Sequence, residues 1–510
     1  MARKSETTTA RSKRTPSAKS KTSKGKGGKP KPSVGADDIV QTVKVAPAKA
    51  AAPSAGVAAA LGGAAAAVGA RGSVRVYRQG LGDCILLRLK RGKGQKDFKL
   101  LIDCGVVLGT SNPAEPMTRV VNDIVSTTEK FIDVLAITHE HWDHLSGFIQ
   151  AGPAFKPLKV GEVWVAWTED DKDPLAQELK SELGKAEKAL AASATALHGI
   201  GESDTAAMLE DLAATSFGMG AAGATSTRAA FDIAKKMADP KPPRLCRPTD
   251  APIEIPGLNA RIYVLGPPHD EKLIRKINPT GSAPETYALA LGGGGVMPLG
   301  VASALRLDDA PDEDVPFHQR VSIPLDLGKD HEFLLEHYYK EGDWRRVDGD
   351  WLGPAAELAL ALQSYTNNTS LVLAVELGDP GKGDVLLFAA DAQVGNWESW
   401  QTLKWPGAHS EVTGPDLLGR TIFYKVGHHG SHNATMKEHG LEMMTTLRAA
   451  VIPVDEVMAI KKRWGHMPLG AIVDALTKKV PEGYFLRTDQ TPNKPGQGVI
   501  VSPDYVEVPF

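Results

Sequence analysis

Apolar and polar residues change rhythm along this chain in a way that divides it. Residues 1–35 are Lys, Ser, Thr, Gly and Pro with almost no apolar side chain. Such a stretch has little to offset its ordering entropy, and disorder is predicted. Residues 46–70 are rich in Ala, Gly and Pro and read as a flexible, partly helical linker. Short β-type runs begin at about residue 73. Val74–Tyr77, Ile85–Leu89 and Phe98–Ile102, separated by Gly-rich turns, predict a β-meander. Val134–Thr138 and Val163–Trp167 follow as strands. Residues 170–238 carry Leu175, Leu179 and Leu183 at helical spacing among Ala, Glu and Lys, and predict a helical insertion. Strand patterns return at Ala260–Leu265, in a hairpin of Leu371–Leu377 with Val385–Ala390, and at Ile422–Val426 and Ala450–Val454. Helices are predicted near 434–447 and 469–479. No repeat of 20–50 residues is visible.

These elements predict a mixed α/β (α+β) chain, with a tail and linker over 1–72 and one domain over 73–510 carrying insertions near 170–240 and 300–365. With 42% hydrophobic and 24% charged residues in 510, the chain can bury a core, and no run of eighteen strongly apolar residues suggests a membrane span. The net charge of −2 conceals an asymmetry: residues 1–35 hold eleven Lys/Arg against Glu6, a net +10, leaving −12 on the rest. The tail can neutralise phosphates of a nucleic acid, or merely solubilise. Three cysteines (Cys84, Cys104, Cys246) cannot build a disulfide framework or a four-cysteine zinc site and suit a reducing compartment, so the cytoplasm is expected.

The densest chemistry is Thr138-His139-Glu140-His141-Trp142-Asp143-His144, directly after an apolar strand. On extended backbone residues i and i+2 point the same way, so His139 and His141 can reach one cation. Asp143 and His144 then aim at a neighbouring position. Neutral imidazoles with a carboxylate suit Zn2+, or Mn2+ and Fe2+ in similar geometry.

This run resembles the signature of the metallo-β-lactamase superfamily. Leu101-Ile102-Asp103-Cys104-Gly105, Phe388-Ala389-Ala390-Asp391 and Gly427-His428-His429-Gly430-Ser431 are similar to further motifs of that family, in the same order. Gln79-Gly80-Leu81-Gly82-Asp83 and the run Asn367, Thr369, Ser370, Leu371, Val372 narrow the likeness to the hydrolase domain of the competence protein ComEC and its soluble relatives, over about residues 73–455. The resemblance implies a four-layer αββα sandwich with one or two metals at its edge. It implies metal ligation by His139, His141, Asp143, His144, Asp391 and one or both of His428 and His429, with Asp391 bridging and Asp103 orienting ligands from behind. Adjacent residues diverge, so one of the two late histidines is expected to face the substrate. Asp143, His429 and His432 are the expected catalytic residues. His269 is the candidate for a ligand that many relatives carry between the first cluster and the bridging aspartate. Asp83 can border the pocket or bond within its own turn, Asn367 and Ser370 can touch substrate or tie loops, and Lys425 can bind an anionic substrate or simply alternate along its strand. His466, within Lys461-Lys462-Arg463-Trp464-Gly465-His466, belongs to a stretch that can contact a phosphate backbone or stack a base, or end a helix.

The expected activity is hydrolysis by water activated on two divalent ions, Zn2+ first, with a phosphodiester as substrate, either a nucleic acid held by the tail or a small molecule. A thioester, lactam or other ester is the alternative substrate, and a non-catalytic metal-binding scaffold the alternative class. Redox use of a di-iron pair would call for a flavin domain, which the sequence does not display.

Overall fold

Strands form where β-branched, Leu and aromatic residues alternate between two buried faces. The computed structural model describes residues 70–200, 227–278, 331–340, 364–407, 411–462 and 464–510, with single positions between 203 and 210. The basic tail and nearly all of the linker lie outside these, as does the 300–365 insertion except for 331–340 and 364–365.

The first sheet starts with β1 (Gly72–Tyr77), β2 (Ile85–Leu89), β3 (Phe98–Ile102), β4 (Phe131–Ala136), β5 (Lys159–Ala166) and β6 (Arg244–Cys246). The second holds β7 (Ile253–Glu254), β8 (Ala260–Gly266), β9 (Val372–Leu377) and β10 (Asp384–Phe388). After a small ribbon of β11 (Lys404–Trp405) and β12 (Val412–Thr413), it continues with β13 (Thr421–Lys425), β14 (Ala449–Ile452) and β15 (Phe485–Arg487). The chain then returns to the first sheet as β16 (Ile500–Val501) and β17 (Tyr505–Pro509). The orders are β16-β17-β1-β2-β3-β4-β5-β6 and β15-β14-β13-β10-β9-β8-β7. Both sheets are mixed: β1, β2 and β3 pair antiparallel, and β3 through β6 run parallel. In the second, β8, β9 and β10 are antiparallel, whereas β10, β13, β14 and β15 are parallel.

The two-residue period of each strand sorts its side chains into layers. Val74, Leu87, Leu100, Ile102 and Val134 of the first sheet meet Val264, Leu373, Val375, Phe388 and Val451 of the second in one apolar layer. The opposite face of the first sheet (Leu86, Leu101, Leu135, Val163) is covered by α1 (Ala114–Thr127). Its buried stripe, Met117, Val120, Val121 and Ile124, follows helical spacing. Each such side chain contributes about 1.5–3 kcal/mol on full burial, so Ile124→Ala would loosen the whole helix. The outer face of the second sheet (Tyr263, Leu387, Tyr424, Ile452) packs Trp397 and Trp400, Leu417 and Leu418, and Ile472 and Leu476. Short helices after β4, β10 and β12 complete the cover: α2 (Trp142–Leu145), then α5 (Val394–Trp400) and α6 (Gly414–Gly419), with α7 (Gly470–Lys479) near the C-terminus. Between them in sequence lie α3 (Pro174–Ile200) and α4 (Thr227–Lys235), the described part of the expected helical insertion.

One expected helix is absent. Residues 434–447 form turns and a single 3-10 turn at Leu441–Met443. Ala434, Met436, Leu441 and Met444 are buried, but against the second sheet from an irregular loop, and a side chain at Gly440 would lie 2.4 Å from the Met436 carbonyl oxygen. Helical spacing of apolar residues here reflects loop packing. Among the described residues no helix is long and apolar enough to cross a membrane.

Candidate metal centre

Four strand ends of the two sheets deliver polar side chains to one place. β3 ends in Asp103, β4 runs through Thr138 to His139, β10 ends in Asp391 and β13 leads to His428 and His429. β9 runs the other way, so its start, Asn367–Ser370, reaches the same edge. The Leu371 amide donates to the Thr138 carbonyl at 2.8 Å and stitches the sheets together there. The approach is close: Gly82 has φ 146°, and a side chain on it would sit 2.5 Å from the Asp143 carbonyl oxygen. Asp103, Ala390, His428 and His429 all adopt left-handed backbone, with φ of 54°, 48°, 41° and 51°. Such conformations cost about 1–3 kcal/mol each and persist only where surrounding packing imposes them. The tight turn is borne by His428 and His429 together with Gly430, at φ 80°.

The imidazoles are oriented one by one. Thr138 gives its hydroxyl proton to Asp103 Oδ2 at 2.6 Å, so its lone pair accepts from His139 Nδ1 at 3.0 Å. His144 Nδ1 donates to Asp103 Oδ2 at 2.7 Å, and His429 Nδ1 donates to the Pro453 carbonyl at 2.8 Å. In each ring this leaves the Nε2 lone pair pointing inward, the arrangement by which a histidine is held for metal ligation. His144 Nε2 lies 3.3 Å and His139 Nε2 3.9 Å from Asp391 Oδ2, and His429 Nε2 lies 3.0 Å from Asp143 Oδ2. Two groups that share Asp391 have ligand atoms close enough to hold one ion each: Asp143, His144, Asp391 and His429; and His139, His141 and Asp391. A third such group, Asp83, Asp103 and His144, has its carboxylates engaged by Lys425 and Thr138.

Buried polar atoms test whether a cation fits. His141 is buried, yet its Nε2 has no hydrogen-bond partner, and His139 Nε2 and His141 Nδ1 meet at 2.9 Å. Buried polar atoms left unpaired are rare, and here they cluster at the convergence point. The donor set of imidazoles and carboxylates suits a borderline divalent ion. Charge points the same way. Burial opposes a charged imidazole at His144, but Asp391, Asp143 and Asp103 outweigh it and raise its pKa well above the ordinary value. Burial likewise opposes ionisation of Asp391, and His144, His428 and His429 outweigh it, holding its pKa well down. His139 and His141 behave otherwise: burial, with neighbouring histidines, keeps them neutral, His141 at about 4. Buried His/Asp groups here can therefore hold a metal ion.

His428 belongs to neither converging group. Its Nε2 meets Asn367 Nδ2 at 3.2 Å and its Nδ1 meets Ser431 Oγ at 2.7 Å, and burial lowers its pKa to about 4. His432 is exposed on the same loop. Lys425 does not reach solvent. Its ammonium is wholly buried, pairs with Asp83, lies 3.7 Å from Asp391 and donates to the Ala390 carbonyl at 3.0 Å. Burial opposes this charge, and Asp83 and Asp391 more than restore it. A substrate-binding role for Lys425 is replaced by one under the site. Ser370 Oγ accepts from the Asp391 amide at 3.2 Å and lies 3.3 Å from His139 Nδ1.

His269 sits elsewhere. Its ring packs on Trp167 at 4.2 Å and its Nε2 meets Asp173 at 2.8 Å, the carboxylate that also caps the start of α3. His466 is exposed, and Trp464 near it is partly buried against the second sheet's outer layer. Sequence reasoning did not single out Thr138, Pro453, Ser431, Asn433 or Arg228. Arg228 on α4 donates to Glu140 at 2.9 Å and Glu169 at 3.2 Å, clamping the helical insertion to the loop between His139 and His141. Burial lifts the Glu140 pKa to about 7. Only Thr138, next to His139, carried a local signal.

Comparison with known proteins adds no relative: no protein family, curated protein or solved structure matches this chain.

Proposed function

We propose that this chain is a metal-dependent phosphodiesterase of the metallo-β-lactamase superfamily, an αββα sandwich holding two divalent ions, Zn2+ first, between its sheets. The observation that carries the reading is the sharing of Asp391 by two histidine–carboxylate groups whose ring nitrogens converge from both sheets. His139, His141 and Asp391 would hold one ion, and Asp143, His144, Asp391 and His429 the other. Bound there, the ions would bring a water's pKa to about 7 and stabilise negative charge developing on phosphorus. Asp143, beside His429 and His144, orients the attacking water through its remaining lone pairs. Thr138, Asp103 and Pro453 keep the imidazoles from turning. His432, exposed on the loop after His429, is the candidate to protonate the leaving group. A phosphodiester is favoured over an uncharged ester by the motif likeness to ComEC-type hydrolases and by the basic tail, which would retain nucleic acid. Buried, unpaired Cys84, Cys104 and Cys246 fit the reducing cytoplasm.

The test is to count bound metal in the full chain by elemental analysis. The same sample is then assayed on labelled single- and double-stranded DNA, RNA and a bis-aryl phosphate. Metal-dependent cleavage of any of these, lost on chelation and restored by Zn2+ or Mn2+, is expected. A chain that takes up no Zn2+, Mn2+ or Fe2+ would instead be a scaffold, and one that cleaves only thioesters or lactams would move the substrate class.

A further inference from the structure

The two ligand groups are unequal. One has four side chains and the other three, whereas a divalent ion of the zinc type takes four ligands or keeps an open place. Asn367 lies against the shorter group. It is wholly buried, and its Oδ1 has no hydrogen-bond partner. A buried carbonyl oxygen left bare loses its bonds to water and gains none in return, so this atom calls for a partner.

Which way the amide points follows from a chain of hydrogen bonds. Asn433 Nδ2 donates to the Ile277 carbonyl at 3.1 Å, which turns Asn433 Oδ1 toward Ser431. Ser431 Oγ therefore donates to Asn433 Oδ1, at 3.2 Å. Its lone pair is then left to accept from His428 Nδ1 at 2.7 Å. With its proton on Nδ1, neutral His428 presents a lone pair at Nε2, which accepts from Asn367 Nδ2 at 3.2 Å. The Asn367 amide nitrogen is thus committed to His428, and its oxygen turns to the other side, where it comes within hydrogen-bonding reach of His141. Each link fixes the next, and the last atom is an oriented acceptor facing a His141 Nε2 that is itself without a hydrogen-bond partner.

Resting on the metal reading above, we propose that Asn367 Oδ1 is the fourth protein ligand of the ion held by His139, His141 and Asp391. His428 is then a positioning residue: it holds the amide in the ligating orientation and does not itself touch the ion. The two positions also differ in charge. This one has a neutral amide and a share of one carboxylate, and the other has Asp143 besides Asp391. The Asn367 position is therefore the weaker of the two and fills second.

The full chain is stripped of metal and titrated with Zn2+ against a chromophoric chelator, for wild type, Asn367→Ala and Asn367→Asp. Wild type takes two equivalents of unequal affinity. Asn367→Ala weakens the second about tenfold or more and spares the first. Asn367→Asp, nearly the same shape with a negative charge, tightens the second. Two equivalents at wild-type affinity in Asn367→Ala overturn the proposal and leave the metal reading standing. A wild-type chain that takes up no ion overturns both. Should circular dichroism show Asn367→Ala unfolded, Asn367→Asp decides: an unchanged or weakened second equivalent overturns the assignment.

Discussion

Two of the networks in which this protein buries charge are built on opposite rules. On the first sheet Arg75 is saturated. Its guanidinium donates to Glu507 at 2.9 and 2.6 Å, to Asp123 at 2.5 Å and to Thr127 at 2.9 Å, while Glu507 also accepts from Ser73 at 2.6 Å and from Arg88. The strands that carry these groups, β1 and β17, are in regular register, Arg75 opposite Glu507. At the candidate metal centre the reverse holds. Several carboxylates and imidazoles are crowded together, ring and carbonyl atoms go unpaired, and four residues accept left-handed backbone. A saturated network has spent its bonding capacity on itself and can only stabilise. An unsaturated one keeps that capacity for something else, and its cost is carried by the rest of the fold.

The sharpest way to break the comparison is to remove a carboxylate from each network. Asp143→Ala should lower phosphodiester turnover about a thousandfold or more, the equivalent of several kcal/mol of lost charge stabilisation, and abolish part of the rise in melting temperature that Zn2+ confers. Steady-state rates and thermal melts with and without Zn2+ check both, and full activity in this variant would remove Asp143 from the site. Glu507→Ala should do the opposite. It leaves Arg75 with Asp123 as its one carboxylate partner, beside Thr127, and should cost about 3 kcal/mol of stability, read as a lower urea midpoint, while turnover at low temperature stays near wild type.

Acid sharpens the contrast further. Burial opposes ionisation of Glu507, but Arg75 and Arg88 outweigh it and hold its pKa below the ordinary value. A depressed carboxyl contributes stability above its unfolded pKa of about 4.3 and loses it as pH falls through the folded value. The stability gap between wild type and Glu507→Gln should therefore be full at pH 7 and close only below about pH 4, as urea midpoints at pH 7, 5 and 3 would show. A gap independent of pH would mean that the charge of Glu507 contributes nothing. The smallest effect is expected from deleting residues 1–69. Arg71, which donates its amide to the C-terminal Phe510 carbonyl at 2.7 Å, is kept. Turnover of a small phosphodiester should be unchanged, and binding to nucleic acid at low salt weakened about tenfold. Unchanged binding would leave the tail as a solubiliser.

Legibility followed locality. β2 and β3 form over the residues their alternation predicts, and the hairpin of β9 and β10 forms where two apolar runs flank a Gly-rich turn. The stripe of α1 and the alternation of Val506 and Val508 were equally visible in kind, yet neither was singled out. The partner of β17 is β1, more than four hundred residues away. The 434–447 segment misled because burial from a loop can mimic helical spacing.

At the site, the run from His139 to His144 declared itself because metal-competent side chains on neighbouring positions leave a dense, improbable pattern. Asp391 and His429 could be named through their motifs, but nothing in their own surroundings says that they meet. What the chain's letters determined by themselves was the kind of atoms offered and the strands that carry them, since alternation and side-chain chemistry are properties of adjacent residues. The packing of two sheets decided the rest. It placed His429 and not His428 among the converging groups, sank Lys425 beneath them, sent His269 to the start of α3 and turned Asn367 inward. Each of these depends on hydrogen bonds and contacts between segments tens to hundreds of residues apart, and such partners leave no mark on local sequence.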